Sequence, residues 1–148
     1  MTKKVSEALK TVLADTYGLY VKTQNYHWNI KGPHFYSLHK LLEDQYDDLA
    51  GAIDEIAERI VILGGRAPGS FQEYQTLMTL SEAAGHIQHY QEMVHDLAQA
   101  QGDLCKTLQK TLEMAQGVGD EVTAGLMADR LSVHEKNKWM LDATLTTQ

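Results

Sequence analysis

Leu42, Leu49, Ile53, Ile56, Ile60 and Leu63 follow one another at intervals of seven, four, three, four and three residues. Such spacing returns to one side of an α-helix at ~3.6 residues per turn and to no single face of a strand. It predicts one long amphipathic helix, beginning at Ser37 or a neighbour and stopping at Gly64-Gly65. At roughly 27 residues this helix would be about 40 Å long. Alone it cannot cover its apolar seam, so the chain must supply partner helices of similar length, which is the definition of a bundle.

The rest of the chain provides them. A first helix capped by Ser6 has an apolar face of Val5, Leu9, Val12, Leu13, Leu19 and Tyr20, closes at Lys31-Gly32, and carries His27 near its end. Gly32, Pro33 and His34 form the break before the second helix. A third helix is expected from about Glu82 to Ala115, with Ile87, Tyr90, Val94, Leu97, Leu104 and Leu108 inward, ended by Gly117 and Gly119. A fourth runs from about Asp120 to Ala143, with Met127, Leu131, Met140 and Leu141 apolar and Trp139 near its end. Residues 64–81 are rich in Gly, Ser, Thr and Gln and read as a crossover with one short amphipathic turn at Phe71 to Leu77. A connection of up to ~55 Å can return along the whole bundle and lets the second and third long helices run parallel.

Composition agrees. The chain is 43% hydrophobic but 7% aromatic, with two prolines, which suits an all-α protein, and its 148 residues form one domain, 1–148. A formal net charge of -7 favours cations over polyanions as partners. The single Cys105 precludes an intrachain disulfide and fits a reducing cytoplasm. The start Met1-Thr2-Lys3-Lys4 leads into no apolar run of signal-peptide length, and no stretch approaches the ~20 apolar residues of a membrane span.

The predicted second helix carries chemistry beside its seam. His39 and Glu43 are neighbours on one face, as are Asp54 and Glu58. From Glu43 to Asp54, eleven steps of about 100° give three turns plus roughly 20°, so the four share one stripe. Yet His39 and Asp54 are about 22 Å apart along a helix. One ion reaches both ends only if two copies of the helix lie antiparallel, His39 and Glu43 of one facing Asp54 and Glu58 of the other, as a two-fold dimer arranges. Tyr46, Ala50, Ala57 and Val61 lie on the same flank, and the alanines permit close approach. Imidazoles and carboxylates without thiolates suit iron better than zinc or manganese. Taken singly, each acid reads as part of a wet helix face and His27 as a core histidine; only the joint pattern points to metal.

That pattern resembles a known signature. His27, Trp28, Gly32, Phe35, His39, Asp54, Glu58 and Arg59, in the runs HWNIKGPHFYSLHK and IDEIAER, resemble the Dps family of dodecameric mini-ferritins, and the closing WML and the crossover extend the likeness over nearly the whole chain. Within the family the neutrophil-activating members look most similar. The resemblance implies a ferritin-like four-helix bundle with a short helix in its crossover, assembled as a hollow homo-dodecamer. It implies a di-iron ferroxidase centre at the two-fold subunit interface that oxidises Fe(II), preferably with hydrogen peroxide rather than oxygen, and stores ferric mineral. His27, Asp54 and Glu58 would hold the tighter iron, with the histidine from the opposite subunit; His39 and Glu43 would complete the second position, with Glu58 bridging. Many relatives have Asp where this chain has Glu43. Trp28 resembles a family tryptophan that intercepts oxidising equivalents.

Other constellations compete. Glu92 to His95 is a single Glu-x-x-His motif, where large di-iron bundles use two. His86 and His89 are helix-surface histidines. Asp44, Asp48 and Glu55 form a second acidic stripe that would line the shell, and Asp120, Glu121 and Asp129 would border three-fold pores by the same resemblance. DNA binding, the family's namesake activity, is not expected, since only Lys3 and Lys4 precede the first helix and twelve chains would sum to -84 from -7 each. The alternatives to a ferroxidase are a nucleoid-compacting protein and a helical metal-binding or cell-surface protein without turnover.

Overall fold

The computed structural model describes residues 2–146. Four long helices and one short one follow in the order α1 (Thr2–Asn29), α2 (Phe35–Ile62), α3 (Phe71–Leu77), α4 (Tyr90–Gly117) and α5 (Glu121–Leu145). The fold is all-α, with the short helix α3 inside the crossover between α2 and α4.

Pairings fix the helix directions. His27 meets His39 and Tyr20 meets Tyr46, so α1 and α2 are antiparallel. Lys22 reaches Asp96 and Asp15 reaches Thr107, so α1 and α4 are antiparallel too. Gln101 bonds His134, which sets α4 against α5. The long helices α2 and α4 therefore run parallel, as the crossover's reach requires.

The predicted seams are the core. Leu42, Leu49, Ile56 and Ile60 of α2 are buried with Val5, Leu9, Val12, Leu13 and Leu19 of α1, Val94, Leu97, Leu104 and Leu108 of α4, and Met127 and Leu141 of α5. Ile53, Leu63, Tyr20, Leu131, Ile87 and Tyr90 pack at its edge.

Two boundaries differ from the sequence reading. Ser6 caps nothing: α1 begins at Thr2, and Ser6 lies inside it, buried against Gly65. A Cβ on Gly65 would collide with Ser6 Oγ, so this glycine lets the end of α2 close onto α1. Its neighbour Gly64 takes the left-handed φ of 91° that stops α2 at Ile62. The second difference is that α4 starts at Tyr90 rather than Glu82. Buried Asp15 of α1 explains it, because its carboxylate accepts the backbone N–H of Thr79 at 2.7 Å, that of Leu80 at 3.2 Å, and the Thr79 hydroxyl at 2.6 Å. The crossover is thus tied to α1 while Leu80 enters the core, and the chain remains irregular through Gly85 to His89, whose extended backbone opens α4.

Candidate metal centre

The Gly32-Pro33 turn folds α2 back on α1, which places His27 and His39 face to face. Their rings stack with centroids 3.8 Å apart and planes at 14°. His27 Nδ1 lies 2.7 Å from the carbonyl oxygen of His39, and His39 Nδ1 lies 2.7 Å from that of His27. A carbonyl can only accept, so each Nδ1 must carry the proton. In the neutral rings both Nε2 atoms then hold a lone pair, and neither makes a hydrogen bond among the described residues. This outer-shell bonding is what fixes tautomer and ring orientation in metal-ligating histidines.

Glu43 stands one turn beyond His39 and is engaged by Lys40 at 2.6 Å. That hydrogen bond, then the Lys40 charge, holds its carboxyl below the usual carboxylate range, with a smaller contribution from the two imidazoles. Asp54 and Glu58 lie exposed farther along α2, without an ion pair among the described residues. His27, at the end of α1, thus joins His39 and Glu43 near the start of α2, while Asp54 lies about 16 Å along α2 from Glu43 and about 22 Å from His39, with Glu58 a turn farther. Among the described residues no three His, Cys, Asp or Glu side chains of one chain come together closely enough to hold a metal ion. Trp28, 64% exposed, makes no ring contact among the described residues.

The competing groups are differently placed. Glu92 and His95 are exposed on α4, as are His86 and His89 on the crossover, so the lone Glu-x-x-His motif does not face the bundle interior. Asp48 does not contribute a free carboxylate to its stripe, because Arg130 of α5 binds it at 2.8 Å; Asp44 and Glu55 are exposed. Asp120 likewise is committed, as the N-cap of α5 and the partner of Arg59, while Glu121 and Asp129 face solvent.

Sequence reading missed the polar layer in the bundle interior. Arg130 Nη2 donates to Asp48 and to His134 Nε2, and His134 Nδ1 donates to Gln101 Oε1 at 2.7 Å. Burial, then the Arg130 charge, drives the His134 imidazole down to about 3 and keeps it neutral. The signal was present in the spacing: Arg130, His134 and Asn137 alternate by fours and threes between Met127 and Leu141, which marks them as inward despite their polarity. Lys106 and Lys110 were also overlooked; with Lys3, Lys4, Glu7 and Asp103 they line a groove of about 1040 Å³.

Comparison with known proteins matches these features to one class. The Ferritin-like domain profile covers residues 6–148. The chain is 37% identical over 145 residues to DNA protection during starvation protein 2 of Bacillus anthracis, covering 98% of this chain and 99% of that one. It is 33% identical over 142 residues to the DNA protection during starvation protein of Helicobacter pylori, covering 96% and 99%. Among solved structures, the Dps protein of Vibrio cholerae, described as a member of a superfamily of ferritin-like diiron-carboxylate proteins, superposes with a TM-score of 0.92 at 36% identity, over 98% of this chain and 91% of that one. Dps from Staphylococcus aureus gives 0.94 at 31%, over 99% and 97%. Fold and domain define a ferritin-like protein. Within that class the chain belongs to the Dps family.

Proposed function

We propose that this protein oxidises Fe(II), preferably with hydrogen peroxide, and stores the ferric product inside a hollow homo-dodecamer, which protects the cell from oxidative damage. The observation that carries this reading is the reciprocal bonding of His27 and His39, which prepares two Nε2 donors near the start of α2 with Glu43 as the one carboxylate of their own chain beside them, too few ligands for a metal ion among the described residues. A two-fold partner completes them. His27 joins the partner subunit's Asp54 and Glu58 around the tighter iron, and His39 with Glu43 serves the second position, Glu58 bridging. Trp28, next to His27, is placed to intercept an oxidising equivalent released there.

The chemistry of the donors supports iron as the substrate. Two imidazoles and anionic oxygens without a thiolate suit a first-row divalent ion, and carboxylates stabilise the ferric state over the ferrous. With both positions filled, two Fe(II) supply the two electrons that convert H₂O₂ to two OH⁻. The lone Cys105 is half-buried elsewhere on α4, its thiol pushed up by burial, so it stays protonated and out of this reaction. A cytoplasmic setting is proposed on the same grounds; among the described residues no helix is long and apolar enough to cross a membrane.

The relatives named for DNA protection, together with the groove containing Lys3, Lys4, Lys106 and Lys110, favour DNA binding as the second reading. Glu7 and Asp103 in that groove and the net charge of -7 argue for weak, salt-sensitive association at most. Two assays separate the readings. Wild-type protein oxidises Fe(II), while His27→Ala and Asp54→Ala, shown by sedimentation to be assembled, do not; a gel shift at neutral pH and moderate salt shows no retardation. Assembled variants oxidising iron at the wild-type rate refute the ferroxidase, and a tight DNA complex revives the second reading.

A further inference from the structure

The imidazole pair is one end of a longer series of touching rings. His27 meets Tyr46 of α2 edge-on at 5.1 Å between centroids. Tyr46 meets Tyr20 of α1 at 5.9 Å, Tyr20 meets Tyr17 at 5.9 Å, and Tyr17 stacks on Tyr74 of α3 at 4.6 Å with planes at 20°. Four of the seven tyrosines therefore form an unbroken file from the candidate centre to the crossover helix. Each is partly buried rather than sealed in the core, and Tyr17 and Tyr74 border a cleft of about 240 Å³ together with Val21, Phe71 and Met78. The arrangement also gives the long crossover a purpose. Helix α3 has no buried residue of its own, yet Tyr74 is fixed by its hydroxyl donating to the Pro68 carbonyl at 3.0 Å and by its stacking on Tyr17.

Phenols in ring contact exchange oxidation state readily, because the electron passes between the rings and each phenol yields or recovers its proton locally. We propose that Tyr46, Tyr20, Tyr17 and Tyr74 form a relay that supplies an electron at the His27 and His39 end and moves the resulting radical to Tyr74. The proposal rests on the ferroxidase reading above. Its need arises when a single Fe(II) is present, a condition favoured by Lys40 holding the Glu43 carboxylate of the second position. Hydrogen peroxide accepts two electrons and one Fe(II) gives one. Tyrosine gives the other: Fe²⁺ + H₂O₂ + Tyr46–OH yield Fe³⁺ + H₂O + OH⁻ + Tyr46–O•. The radical then passes along the file, each phenol giving one electron to its neighbour's phenoxyl, with one proton released where the phenol is oxidised and one taken up where the phenoxyl is reduced. At Tyr74 it takes a hydrogen atom from a soluble donor of the ascorbate class, which restores the phenol and leaves the donor as its radical. Trp28, exposed and without ring contact among the described residues, is not on this route.

The test uses the assembled protein, loaded anaerobically with about one Fe(II) per chain, mixed with hydrogen peroxide and a nitroso spin trap, and mapped for labelled residues by mass spectrometry beside freeze-quench electron paramagnetic resonance. Expected is a tyrosyl signal with label on Tyr17 or Tyr74, suppressed by ascorbate. In Tyr20→Phe, which keeps the ring but cannot form a phenoxyl, that label is lost and Tyr46 is labelled instead. Tyr36→Phe, altering an exposed phenol off the file, leaves the map unchanged. Label persisting on Tyr17 or Tyr74 in Tyr20→Phe, or confined to Trp28, overturns the relay. Iron oxidised by wild type with no tyrosyl radical overturns the relay alone, whereas no iron oxidation at all removes the ferroxidase reading beneath it.

Discussion

Arg59, in the last turn of α2, holds Asp120, the N-cap of α5, at 3.0 Å, and the same guanidinium donates through Nε to the Thr123 hydroxyl at 2.9 Å. Asp120 in turn accepts the backbone N–H and the hydroxyl of Thr123. One carboxylate therefore caps a helix and clamps it to another. Asp120→Ala is expected to lower stability by about 1–2 kcal/mol, the usual cost of a lost cap, read as a lower urea midpoint at fixed protein concentration. Arg59→Lys should recover only part of the wild-type value, since an ammonium cannot reproduce the two-pronged contact. Equal stability of all three proteins would show that the clamp contributes nothing.

His134 makes the fold acid-sensitive. Its burial, followed by the Arg130 charge, lowers its pKa from 6.5 to about 3, so between those values the unfolded chain binds a proton that the folded chain refuses. The stabilisation is complete above about pH 6.5 and declines as pH falls toward 3. Thermal midpoints measured from pH 7 downward should fall over this window, as folding stability declines by an amount on the order of a few kcal/mol. His134→Gln, which can still bond Gln101 and Arg130 but does not titrate, should show a flatter profile. A wild-type slope retained in the variant assigns the acid sensitivity to other groups.

Lys40 sets the availability of Glu43. Their 2.6 Å pair engages the carboxylate that the proposed second iron position would use. Lys40→Met should therefore raise the number of Fe(II) bound tightly per chain in anaerobic titration, and Glu43→Gln should lower it. An unchanged stoichiometry in Lys40→Met would mean that the lysine yields to iron without cost.

The long helices were legible because apolar spacing alone identifies them, and α3 was legible as a short amphipathic turn at Phe71 to Leu77 within the Gly-, Ser-, Thr- and Gln-rich crossover that contains Pro68-Gly69. What escaped was held by side chains acting at long range. Nothing local to residues 82–89 says that Asp15, more than sixty residues earlier, captures the amides of Thr79 and Leu80 and delays α4 until Tyr90. The same holds for Asp48, expected on an acidic stripe, and for Asp120, expected at a pore border by resemblance, both of which arginines from other segments have claimed. The candidate ligands were readable as a stripe, and the roughly 22 Å between His39 and Asp54 along α2 meant that they could share a metal ion only across two copies. The mutual carbonyl bonding of His27 and His39 was not readable, because it depends on how the Gly32-Pro33 turn brings two helix ends into register.

The central claim is that the tighter iron takes the His27 imidazole from one chain and the Asp54 and Glu58 carboxylates from another, and mixed assemblies test it directly. His27→Ala and Asp54→Ala subunits, each inactive alone, are dissociated, mixed in equal amounts and reassembled. If the site is shared, half of the dimers are mixed and each of those retains one intact site, so roughly a quarter of wild-type Fe(II) oxidation returns. A verified mixture that remains as inactive as either parent would place His27 and Asp54 in the same chain's site and contradict the account.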